Sequence, residues 1–262
     1  LPVWGTASPG RKVSVTLDTE TREAIADNQG HWQVEFDARE YSAEPINLAV
    51  KAGTESRVFK DILIGEVWIC AGQSNMEWMV QQSAHGSHEE QLAEYPQLRL
   101  LNLRGGARGV YGNYSQANLD SLTAQTYCQG TWVTASADSI KSFSAVGWYF
   151  GRYLQQHLDV PVGLICPAVG GSPTEAWIPR EALTDHSELK RLVQGNWLDN
   201  ELLGEFCRLR GEQNLLVPMQ AGEQIPGDEL GPNHPFKPGF MWGAGIEPLI
   251  PYAMKGVIWY QG

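Results

Sequence analysis

The hydrophobic pattern of this chain changes period near Asp61, and that switch limits the fold more than any single motif does. Upstream, Val13, Val15 and Leu17 alternate with polar residues, as do Trp32, Val34 and Phe36, and Ile46, Leu48 and Val50 repeat the spacing. Alternation over short runs describes strands with one buried face. Gly10, Asn28–Gly30 and Gly53 supply turn chemistry between them. Residues 1–61 are therefore expected to form a small antiparallel, sandwich-like β-domain that carries no catalytic cluster.

Downstream the apolar runs become continuous. Ile62 to Cys70 is broken only by Gly65 and Glu66, and Leu98–Leu103, Val162–Cys166 and Val257–Tyr260 are similar. The first run reads as an edge segment joining a buried strand, Val67–Cys70, and the other three as further strands, the pattern of a parallel sheet. Phe143, Val146, Tyr149, Tyr153 and His157 recur at helical spacing over Phe143–Leu158, and a second helix is predicted over Arg180–Val193. Strands alternating with helices predict an α/β domain over residues 62–262. The stretches 104–130 and 194–237 are long, rich in Gly and polar residues, and expected to be irregular.

Charge removes several function classes. Nineteen Lys and Arg against thirty Asp and Glu give −11, with no basic cluster for a phosphate backbone, so no nucleic-acid partner is expected. No apolar run approaches the roughly 18 residues of a membrane span. Cys70, Cys128, Cys166 and Cys207 lie far apart without a CxxC pair, which leaves two disulfides and four buried thiols equally open. Leu1-Pro2-Val3-Trp4-Gly5 lacks signal-peptide character and reads as the middle of a longer polypeptide, so composition leaves the compartment open.

The sharpest chemical feature is Gly72-Gln73-Ser74-Asn75-Met76, immediately after the buried run Val67–Cys70. A serine on a tight strand-to-helix turn presents its hydroxyl to a substrate, and backbone N–H groups there can hold an oxyanion. The same spacing also fits Ser74 as an ordinary helix cap. Met76 stands where a Gly-x-Ser-x-Gly elbow has its second glycine, so that motif is absent. Gly170-Gly171, after Val162–Cys166, let backbone approach a ligand, although a plain turn reads the same way. Gln261 follows the third strand. Ser74, Gly170, Gly171 and Gln261 thus fall beyond the carboxyl ends of three strands, where open α/β sheets bind ligands.

The histidines give a weaker signal. His31 and His157 read as structural and His186 as part of a polar helix; His234, in a loop between Pro232 and Pro235, could approach a crevice and is the first internal candidate for a base, although loop histidines are commonly solvent-exposed. His85 and His88 precede Glu89 and Glu90 and read as a solvated helix start rather than a metal pair. No metal and no cofactor is expected. Asn113-Tyr114-Ser115 fits a glycosylation acceptor.

Gly65-Glu66-Val67-Trp68-Ile69-Cys70-Ala71-Gly72-Gln73-Ser74-Asn75-Met76-Glu77 resembles the first conserved block of the sialate O-acetylesterases, carbohydrate esterases of the SGNH-hydrolase superfamily. Phe143–Phe150, Gly170–Trp177, Gly256–Gly262 and the Trp4-Gly5…Pro9-Gly10 start are also similar to that family. The resemblance implies a three-layer SGNH-hydrolase-like α/β domain with a parallel sheet, preceded by the β-domain. It implies metal-free hydrolysis of acetyl esters on a sugar or glycan, with sialic acid the first expectation and acetylated xylan the second. Ser74 would be the nucleophile. The Ser74 N–H, a glycine N–H from Gly170 or Gly171, and the Gln261 side chain would be the oxyanion donors. Gln73, Asn75 and Trp177 are expected at the substrate. The family's Asp-x-x-His segment and its fifth core strand do not occur in this sequence. The catalytic histidine is therefore expected beyond residue 262, in a continuation or a second chain. A secreted, periplasmic or lysosome-like setting follows from the resemblance. A non-catalytic carbohydrate-binding protein, using an aromatic crevice with Ser74 as a cap, is the rival from another class.

Overall fold

The structure is a computed structural model that describes residues 1–92 and 94–262. The N-terminal part is the expected antiparallel β-domain. Strands Glu20–Ile25, Lys12–Leu17, Ser42–Ala52 and Glu55–Ile64 form one sheet in that order, and Pro2–Thr6 pairs with His31–Glu35. The inward sets Val13, Val15, Leu17 and Trp32, Val34, Phe36 share one core between them. Ile62 and Ile64 still pair with Ile46 and Ser42, so this sheet runs to Ile64 and not to Asp61.

The second sheet has the order Trp132–Ser136, Glu94–Asn102, Val162–Cys166, Glu66–Gly72, Gly256–Tyr260. All four predicted strands are present and mutually parallel. The sheet is nevertheless mixed, because Trp132–Ser136 runs antiparallel on the edge against Glu94–Asn102. That strand escapes a hydrophobic reading because Trp132 and Val133 remain exposed and only Ala135 is buried.

Strand periodicity sorts the core into two layers. Cys70, Leu98, Leu100, Leu164 and Cys166 face Phe143 and Trp148 on one side. Ile69, Ala71, Leu101 and Ile165 face Tyr127, Trp177, Trp197 and Phe240 on the other. Each large side chain buried this way contributes about 1.5–3 kcal/mol. Helix Ala145–Leu158 covers the first face, opened by Ser144, whose Oγ accepts the Gly147 N–H at 3.0 Å. It ends at Asp159 in the left-handed region, with φ 52°.

Three local expectations are corrected. The predicted helix Arg180–Val193 is broken into an α-helix, Arg180–Asp185, and a 3₁₀ turn, Leu189–Val193. Between them His186 Nδ1 accepts the amides of Glu188 and Leu189, a side-chain alternative to helical bonding. The stretch 194–237 contains a helix, Glu205–Gln220, although Gly211 and Pro218 weaken its propensity. Gly211 is there for packing, since a Cβ at that position would lie 2.3 Å from the Trp197 ring. Finally, Glu89 is buried rather than solvated; it accepts the Trp148 Nε1–H at 2.9 Å and pairs with Arg152.

All four cysteines are unpaired, which resolves the alternative left open above. Burial pushes the Cys166 thiol up to about 11 and that of Cys128 to about 12. A cavity of about 800 Å³ lies between the β-domain and the amino ends of the parallel strands, lined by Trp4, Trp132, Tyr252 and Arg99 among others. It is not where the chemistry gathers: none of its lining residues follows the carboxyl end of a parallel strand.

Candidate active site

The carboxyl ends of Glu66–Gly72, Val162–Cys166 and Gly256–Tyr260 bring the three sequence features together. At Gly72 φ is +133°, and a Cβ would stand 2.1 Å from the Tyr260 carbonyl oxygen. Only glycine allows that approach, and through it the Gln73 N–H donates to Tyr260 O at 3.1 Å. The chain then makes a single helical turn, Ser74–Glu77.

The cap position of this turn is Gln73, and no side chain caps it. Ser74 is exposed and its hydroxyl donates to Gln73 Oε1 at 3.2 Å. The helix-cap reading of Ser74 is therefore wrong, for a positional reason: the serine lies one residue inside the helix.

Gln73 Oε1 also accepts the Gly171 N–H at 3.3 Å, which ties the second loop to the first. Gln73 Nε2 and Asn75 Nδ2 donate to the Gly262 carbonyl at 2.6 and 3.3 Å. Gly170 approaches Ser74 so closely that a Cβ on it would be 3.6 Å from the Ser74 Cα and Cβ. The two glycines differ in what holds them. The Gly170 N–H donates to the carboxylate of Glu77 at 2.5 Å, whereas the Gly171 N–H rests on a neutral amide.

Glu77 is the residue whose role the sequence reading missed. Its other oxygen pairs with Arg108 Nε at 2.5 Å, so one carboxylate fastens loops from three parts of the chain. The available signal was an acid three residues after Ser74 on one turn, a spacing that puts both on one helix face.

Gln261 donates from Nε2 to Ser172 O at 3.0 Å, leaving one amide hydrogen uncommitted. Its Oε1 is buried and has no partner among the described residues. Trp177, expected at the substrate, is in the core at 5% exposure. Its Nε1–H donates to Ser172 Oγ at 2.9 Å, and Ser172 Oγ donates to Val169 O at 2.7 Å, so Trp177 braces the glycine loop from behind. A face on the core cannot also be a face on the sugar.

His234 is 1% exposed, against the expectation of a solvated loop residue. Its ring stacks on Tyr114 and Trp197. Nδ1 accepts the Phe236 N–H at 3.1 Å, so Nε2 bears the hydrogen and faces Asn214 Oδ1 at 3.1 Å. Burial, and secondarily the Arg210 charge, lowers its pKa to about 3. With both nitrogens committed it has no lone pair for a serine proton.

Chemically, the arrangement offers an exposed hydroxyl beside backbone and side-chain N–H donors on three loops. Residues 64–194 match the family model described as "Carbohydrate esterase, sialic acid-specific acetylesterase". The chain belongs to this carbohydrate esterase family. Human sialate O-acetylesterase is 30% identical over 276 residues, covering 99% of this chain and 44% of the human protein. The mouse sialate O-acetylesterase is 30% identical over 274 residues, covering 99% of this chain and 48% of its own. A crystal structure of a carbohydrate acetylesterase from Xanthomonas citri superposes with a TM-score of 0.69 at 26% identity, covering 100% of this chain and 46% of that one. The chain thus spans somewhat less than half the length of these carbohydrate esterases.

Proposed function

We propose that this protein is a serine esterase of the three-layer SGNH-hydrolase type that removes O-acetyl groups from carbohydrates, sialic acid foremost and acetylated xylan second. The observation that carries the proposal is Ser74 itself: exposed, capping nothing, at the carboxyl end of a central parallel strand, with Gly170 against its Cβ. A surface serine with no structural duty, on a loop next to one that carries two glycine N–H groups, fits what acyl transfer requires.

In the proposed reaction Ser74 Oγ attacks the acetyl carbonyl carbon and gives up its proton to a base. The resulting oxyanion takes hydrogen bonds from the Ser74 N–H, a glycine N–H and the free Gln261 amide hydrogen. Gly171 is the better placed glycine, because displacing a neutral amide oxygen costs less than displacing the Glu77 carboxylate. Collapse breaks the bond to the sugar oxygen, which leaves protonated, and water then releases acetate from Ser74. The base is not assigned to any histidine of residues 1–262: His234 is committed, and the Asp-x-x-His segment does not occur in this sequence. Gln73 and Asn75 stand at the mouth of the crevice and would orient the sugar. Among the described residues no helix is long and apolar enough to cross a membrane. The proposed setting is secreted, periplasmic or lysosome-like.

The test is acetate release from O-acetylated sialic acid, and p-nitrophenol release from p-nitrophenyl acetate, by the intact protein and by Ser74→Ala. Loss of both activities in the variant is expected. Equal turnover would sink the assignment, and sugar binding without turnover in either protein would favour a binding protein instead.

A further inference from the structure

Near the candidate oxyanion loop stands a cation that pairs with no carboxylate among the described residues. A Cβ on Gly171 would lie 3.3 Å from the Phe206 ring and 2.8 Å from the Phe236 ring, so these two aromatics wall the crevice immediately beside the loop. Phe206 is 58% exposed. One helical turn further along Glu205–Gln220, the Arg210 guanidinium carbon sits 5.7 Å from the Phe206 centroid and 4.9 Å from that of Tyr111, which is 70% exposed. The guanidinium thus lies over two exposed rings beside the crevice.

Most of its polar capacity is unused. Its one described hydrogen bond is a 3.5 Å contact from Nη1 to the Tyr111 carbonyl, at the limit of what counts as one. Arg22, Arg39, Arg99, Arg108, Arg152 and Arg180 each hold a carboxylate. Arg210 belongs to the other half of the arginines, which hold no carboxylate among the described residues; of these it and Arg208 are half-buried, and Arg208 turns to the Leu203 carbonyl while Arg210 lies against the two aromatic rings. Its positive field also reaches inward: burial raises the Tyr114 pKa and Arg210 opposes that rise, whereas burial lowers the His234 pKa and Arg210 adds to the fall.

We propose that Arg210, which lies over Phe206 and Tyr111, is a specificity-determining residue that receives the carboxylate of an acidic sugar while the sugar's acetyl group lies at Ser74. A planar guanidinium offers two parallel N–H donors to a carboxylate, and the flanking rings hold that plane in place. The exposed aromatic surface of Phe206 and Tyr111 suits the apolar face of a sugar ring. A neutral acetylated sugar would leave the cation without its partner, so the same feature discriminates against xylan-type substrates. This assignment rests on the esterase reading for the position of the acetyl group, but its test does not depend on turnover.

The experiment compares binding of N-acetylneuraminic acid with binding of its methyl ester, by tryptophan fluorescence or ligand-observed NMR, at low salt. The acid is expected to bind at least tenfold more tightly than the ester. Arg210→Met, which keeps the stem and removes the charge, should erase that preference while leaving the ester's affinity unchanged. Arg210→Lys should retain only part of it, and added salt should shrink it. Equal affinity for acid and ester, persistence of the preference in Arg210→Met, or absence of saturable binding of the acid would each overturn the proposal. The esterase reading fails separately, on p-nitrophenyl acetate turnover that survives Ser74→Ala; in that case the acid-over-ester preference still reads Arg210 alone.

Discussion

The turn at Ser74 and the pocket around His234 both carry a residue type that catalysis favours, and the protein treats them in opposite ways. Ser74 is exposed, makes one 3.2 Å bond to a neutral amide oxygen and supports no element. His234 is buried, bonded at both nitrogens and stacked against two aromatic rings. Reactivity needs a group whose bonding is unfinished in the resting state, and stability needs one whose bonding is complete. The contrast separates a candidate catalytic group from a structural one without reference to motif.

The largest expected effect is on the unfinished side. On the proposed reading, Ser74→Ala should lower kcat for acetyl ester hydrolysis by a factor on the order of 10⁶, the cost of removing the nucleophile in serine hydrolases. Its unfolding free energy should change by no more than about 0.5 kcal/mol, since an exposed side chain with no capping role is removed. A variant that retains a tenth of the activity, or one that loses several kcal/mol of stability, would break the contrast at its first term.

Gln261 sharpens the same side at smaller scale. Removing one oxyanion donor costs roughly 10²–10³ in kcat, and Gln261→Ala is expected to fall in that range with KM little changed. A change confined to KM would instead make Gln261 a ground-state contact to the sugar. A second readout is stability: the substitution removes the Gln261 Nε2 bond to Ser172 O as well as the unpartnered Oε1, so the expected cost is about 1 kcal/mol and no more.

On the finished side the effect moves from rate to stability. His234→Ala leaves the Phe236 N–H without its acceptor and opens space between Tyr114 and Trp197. The expected loss is about 3 kcal/mol, read from denaturant unfolding, with turnover per folded molecule preserved. A stable variant without activity would make His234 the base after all.

The same physical distinction governs what was legible in the sequence. Strands buried on both faces announce themselves, and Val67–Cys70, Leu98–Leu103, Val162–Cys166 and Val257–Tyr260 all lie within strands of the sheet apart from Leu103, just past the end of its strand. Trp132–Ser136 did not, because an exposed edge strand owes its existence to a neighbour's free backbone groups more than to its own side chains. Helix Glu205–Gln220 was hidden for a related reason: with Gly211 and Pro218 inside it, packing under Trp197 decides the outcome and propensity does not. At the site, the order of motifs along the chain placed Ser74, Gly170, Gly171 and Gln261 at strand ends, and they do lie there together. The burial of Trp177 and His234, and the bridging by Glu77, depend on which side of a loop faces the core. Spacing along the chain does not encode that.

The smallest effect tests the finished side by pH alone. His234 has a folded pKa of about 3, below its ordinary value near 6.5, because burial penalises the charged imidazolium and the Arg210 charge adds to that. Between those two values the unfolded chain binds a proton that the folded protein does not. Stability from this group is therefore complete above about pH 6.5 and is lost as pH falls toward 3, by up to about 1.4 kcal/mol per pH unit. The useful window is pH 6.5 to 5, above the range where the carboxylates titrate; Asp228, for instance, is held below its ordinary value by its bonds to Lys237 and Arg180, against the opposing pull of burial. Urea unfolding of the wild type across that window should show the falling slope, and His234→Ala should flatten it by the share this one group supplies. An unchanged slope in the variant would mean that His234 is already protonated in the folded state. Its Nδ1 could not then accept the Phe236 N–H, and the picture of a fully bonded neutral ring would fall with it.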